Sequence, residues 1–88
     1  MAKTRAELIG DLAQRAGVPS LTATETESIL ALAAVAAHGT GDRTSAPLVS
    51  FLAGLAAASA DDRAQSLDSF RRLTAELAPH AAKKTRDE

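Results

Sequence analysis

The apolar positions of this chain are densest between Ile29 and Ala58, where two runs, Ile29–Ala37 and Leu48–Ala58, flank the polar connector His38-Gly39-Thr40-Gly41-Asp42-Arg43-Thr44-Ser45. Both runs are too long and too rich in Ala and Leu for a buried strand, and each is apolar on nearly every side. That is the pattern of a helix covered all round. Outside this stretch the pattern becomes one-faced. Leu8, Leu12 and Ala16, with Ile9 and Ala13 beside them, form a stripe at four-residue spacing, and Leu67, Phe70, Leu73 or Thr74, and Leu77 form another. The expected fold is all-α: a small four-helix bundle with helices over roughly 5–16, 25–38, 46–58 and 61–78.

Local signals set the boundaries. Thr4-Arg5-Ala6-Glu7 is a capping box, in which the hydroxyl accepts from the backbone three residues on while the carboxylate reaches back. Gly17 stops the first helix and Val18-Pro19 prevents its resumption. Thr22…Glu25 and Thr24…Glu27 are both possible starts for the second helix, with Leu21 free to fold back onto the core. Gly39 and Gly41 end it. Ser45 is the expected cap of the third helix, with Pro47 tolerated in its first turn. Ser59 or Asp61 is expected to cap the fourth, and Pro79 ends it. Residues 1–79 thus read as one helical domain and 80–88 as a frayed or disordered tail with no apolar anchor.

Length sharpens the picture. A chain of 88 residues removes only roughly 60–65% of its unfolded surface from water. Ala forms helices readily but contributes little transfer free energy when buried. A partner or a second copy that covers an apolar helix face would stabilise the fold by mass action. The third helix is the natural place for it. Leu48, Phe51, Leu52 and Leu55 form its main face, and the small residues Ala53, Gly54, Ala57 and Ala58 mark its side of closest approach. Phe51, Gly54, Leu55 and Ala58 are the candidate interface.

Charge and composition narrow the function classes. With no Cys and two His, neither a disulfide framework nor a metal centre is expected, and no cofactor is implied. A net charge of -1 with interspersed signs gives no basic field for nucleic acid, and Phe51 and Phe70 are the only aromatic residues. Neither apolar run approaches the roughly 20 residues of a bilayer span, so a cytoplasmic protein without membrane contact is expected. No catalytic set emerges, and the chain reads as a non-enzymatic interaction module. The connector is the best candidate for a ligand or partner site, through His38, Arg43, Ser45, Pro47 and Ser50, because an Arg beside a helix N-terminus suits an anion such as a phosphate-bearing small molecule. Gly39-Thr40-Gly41 lacks the Lys-Ser/Thr ending of a phosphate loop and follows a helix instead of a strand.

The series Ala37-His38-Gly39, Arg43, Ala46-Pro47-Leu48 and Phe51-Leu52-Ala53-Gly54-Leu55-Ala56, within a match from about Arg5 to Leu77, resembles a small actinobacterial all-helical domain of unknown function. That domain occurs alone or associated with molybdenum-cofactor guanylyltransferase-like proteins. The resemblance implies a helical bundle, places His38, Arg43 and Pro47 among the characteristic positions, and suggests a link to molybdenum-cofactor maturation.

Overall fold

The computed structural model of the chain describes residues 3–78. Four helices follow one another, α1 (Arg5–Ala16), α2 (Ala23–Thr40), α3 (Ser45–Ala58) and α4 (Arg63–Leu77), and no strand occurs among the described residues. The fold is all-α, as the apolar periodicity predicts. No helix among these residues is long and apolar enough to cross a membrane. The tail expected from residue 80 lies outside the described residues.

Most ends form where the local signals place them. The capping box of Thr4 and Glu7 is complete, and Gly17 closes α1 in the left-handed conformation at φ 73°. Of the two alternatives for α2, Thr22 is the cap. Its hydroxyl accepts from the Glu25 amide at 3.1 Å and its own amide donates to the Glu25 carboxylate at 2.9 Å. Three expectations are corrected. Helix α2 runs through Gly39 and ends at Gly41, which alone of the two adopts positive φ, at 74°. Asp62, not Ser59 or Asp61, caps α4 by accepting from the Gln65 amide at 3.1 Å. Ser45 is the first residue of α3 and caps nothing: Thr44 holds the cap position, with no side-chain capping bond.

Helices α2, α3 and α4 pack on one another. The N-termini of α2 and α4 meet through Glu25 and Arg63, and their C-terminal ends meet where Gly39 touches Ala78, so the two run parallel. The short connections 41–44 and 59–62 send α3 antiparallel to both. Leu32, Ala53, Ala57 and Leu67 form the core where the three meet, with Ile29, Val49 and Phe70 packed against it. Leu32 is the only large side chain among the described residues that is fully buried.

This small-residue core leaves the main face of α3 outward. Close approach of neighbouring helices selects Ala53 and Ala57, which are buried, and drives Leu48, Phe51, Leu52 and Leu55 outward. Ala53 and Ala57 fulfil the expectation of a tight contact on the small side. Gly54 and Ala58 do not: both are exposed, and a Cβ added at Gly54 would meet nothing within 4 Å. Helix α1 stands off from the other three, with no Cα within 8 Å of theirs. Its Leu8 and Leu12 are consequently exposed, and Leu21 lies at the surface beside it instead of in the core.

Candidate functional site

The residues singled out by sequence occupy two places. The connector gathers Thr40, Asp42, Thr44 and Ser45 into one local network. The Asp42 carboxylate accepts from the Thr44 amide at 2.9 Å and from its hydroxyl at 2.7 Å, and the Thr40 and Ser45 hydroxyls lie 2.9 Å apart. Thr40 also donates to the Ala36 carbonyl at 2.8 Å. The Thr44 bonds, side chain first and backbone second, hold the Asp42 carboxyl below its ordinary value. Asp42 therefore stands as an anion at the entrance to α3, the position a bound phosphate would use. His38, Arg43 and Pro47 are exposed around this turn and Ser50 is half-buried one turn into α3. The Asp42 carboxylate is engaged by Thr44 instead of His38, so no relay from carboxylate to imidazole to hydroxyl is assembled. Among the described residues no group of three His, Asp or Glu side chains could hold a metal ion.

The second place is the outer face of α3. Phe51, Gly54, Leu55 and Ala58 share one exposed stripe, at 68% and 58% exposure for Phe51 and Leu55. Not one charged residue occurs between Ser45 and Ala58. Two apolar concavities among the described residues lie elsewhere. One of about 530 Å³ separates α1 from α2, with Ile9, Leu21, Ile29 and Leu30 in its walls. The other, of about 240 Å³, lies between Leu52 of α3 and Phe70, Leu73 and Leu77 of α4.

Sequence reading missed the best-built polar feature. Arg63 donates from Nε to Glu25 Oε2 at 2.6 Å and from Nη2 to Glu25 Oε1 at 2.8 Å, a bidentate pair, and reaches the Ser20 carbonyl at 3.3 Å. Glu25 is the only buried charged residue among those described. The Thr22 backbone amide, opposed by burial and aided by Arg63, holds its carboxyl below the usual range. A signal for the pair did exist. Arg63 opens α4, the end of a helix dipole that repels a cation, so a specific acceptor is required nearby. Its fully satisfied geometry and its position between two helix starts make it a structural pin.

The family model described as Domain of unknown function (DUF6457) matches residues 2–88. The chain belongs to this family. A DUF6457 chain is thus a small helical domain to which the family assigns no activity. No curated protein and no solved structure matches it. For this DUF6457 member the exposed apolar face of α3 and the connector are the two surfaces from which a function can be argued.

Proposed function

We propose that this domain is a non-enzymatic helical interaction module whose working surface is the outer face of α3. The observation that carries this reading is the orientation of α3, which buries Ala53 and Ala57 and presents Leu48, Phe51, Leu52 and Leu55 to solvent. A contiguous apolar patch of that kind on a small domain marks a contact surface. The resemblance to domains associated with molybdenum-cofactor guanylyltransferase-like proteins makes such an enzyme the first foreign partner to test. Anion binding at the connector takes second place, because Asp42 already sits at the α3 entrance.

The test is site-specific photo-crosslinking in the native cell. A photoreactive residue at Phe51 should give one discrete adduct, while the same residue at exposed Gln14 on α1 should not. Absence of any adduct at Phe51 would remove the module reading.

A further inference from the structure

Resting on that reading, we infer that the occupant of the α3 face is a second copy of this chain, packed α3 against α3 across a two-fold axis with Gly54 at the crossing.

The shape of the face is self-complementary. Along the four-residue rows of α3, Pro47, Phe51 and Leu55 form a raised ridge. Beside it Ser50, Gly54 and Ala58 form a groove of small residues. Ridges along these rows interdigitating with the equivalent rows of another helix give the commonest helix-packing class, with axes crossing near −50°. In a two-fold arrangement the Phe51–Leu55 ridge of each copy enters the Ser50–Ala58 groove of the other, so one operation fills both. Gly54 gains a reason it lacks within its own chain. It costs helix propensity, about 1 kcal/mol relative to Ala, and nothing of its own chain lies where a Cβ would be.

Charge points to the same occupant. Residues near a two-fold axis meet their own copies, so any charge there meets its like and repels. Helix α3 carries none in fourteen residues, whereas α1 and α4 carry several each. Area agrees as well. Leu48, Phe51, Leu52 and Leu55 are 66%, 68%, 54% and 58% exposed. At roughly 150–200 Å² for a whole large side chain they offer roughly 400–500 Å² of apolar surface. That is about half of the ~800 Å² each partner contributes to a standard interface. Residues 79–88 contain no Leu, Ile, Val or Phe with which to cover the face instead.

Size exclusion with light scattering on the full chain decides the matter. The wild type should elute at twice the 9.0 kDa chain mass at about 100 µM. Gly54→Leu fills the groove, and its Cβ meets nothing of its own chain within 4 Å. It should weaken self-association at least tenfold while helical circular dichroism is retained. Leu55→Glu should do the same. Should Leu55→Glu fail to fold, Gly54→Leu carries the test alone. A wild type that stays monomeric at several hundred micromolar overturns the inference, and so does a dimer indifferent to Gly54→Leu. A monomer whose Phe51 crosslinks to a different protein overturns the second-copy assignment and leaves the interaction-module reading standing.

Discussion

The two ends of the parallel pair α2 and α4 are held in opposite ways. At the N-terminal end one buried carboxylate is bound by a guanidinium 38 residues away and by its own helix cap, and the same Arg63 ties in the loop at Ser20. At the C-terminal end the polar groups bond only to neighbours two to five residues off, and the tertiary contact is made by the absence of a side chain at Gly39. Long-range polar bonds set the register of α2 against α4; the local ones of the connector only shape a turn. The density of suggestive residues in the sequence is therefore inversely related to their tertiary consequence.

The largest effect should come from breaking the charged end. Glu25→Gln leaves Arg63 partly buried beside a neutral amide, and loss of a charge-assisted pair of this kind costs about 2–3 kcal/mol. Because the Glu25 carboxyl is depressed in the folded state, its contribution is fully present above its ordinary value of 4.5 and lost as pH falls through the lower folded value. Acid titration of stability by urea unfolding should accordingly show wild type and Glu25→Gln far apart at neutral pH and converging below pH 4.5. Parallel curves at all pH would mean that the pair is not a pin.

The opposite end should respond to steric change. A Cβ at Gly39 would overlap the carbonyl of Ala78, a backbone atom that cannot rotate away. Gly39→Ala should therefore cost about 1–3 kcal/mol by overpacking, despite the gain in helix propensity. Urea midpoints measured at neutral pH and again below 4.5 should move together, since no titrating group is involved. Stabilisation by Gly39→Ala would show that the C-terminal ends of α2 and α4 are not in contact.

Periodicity made the four helices legible because an apolar stripe every three or four residues needs no tertiary information. Caps were legible for the same reason where a single local signal exists, as at Thr4 and Gly17, while Thr22 and Thr24 offered equal signals for α2. What sequence could not decide was which of the small residues of α3 turn inward, Ala53 and Ala57 but not Gly54 and Ala58. That depends on how closely α2 and α4 approach, because small residues permit shorter interhelical distances. Gly39 was misread as a stop since its role depends on Ala78, 39 residues on. At the candidate site the residues of the connector were all legible, but not that Asp42 would occupy the α3 entrance ahead of any ligand. The Phe51, Gly54, Leu55 and Ala58 stripe was legible as a group, and the structure leaves it open to solvent.

The smallest effects should be found in the connector itself, and their smallness is informative. Ser45 makes one hydroxyl contact, with Thr40, and no cap, so Ser45→Ala should cost about 0.5 kcal/mol in place of the ~1 kcal/mol of a lost cap. Arg43 is exposed, and Arg43→Ala should change stability by less than ~0.5 kcal/mol. An incoming phosphate would have to approach the Asp42 carboxylate, held ionised by the two Thr44 bonds, and displace it from the amide it already occupies. Like charges at that range disfavour the ligand, and Arg43 from an exposed position offsets them weakly. The melting midpoint should thus be indifferent to phosphate at constant ionic strength, in the wild type and in Arg43→Ala alike. A midpoint that rises with phosphate in the wild type and no longer does so in Arg43→Ala would reverse the ranking of the two surfaces. The connector would then be the binding site, and the contrast between the two ends of the bundle would be one of ligand binding against structural support.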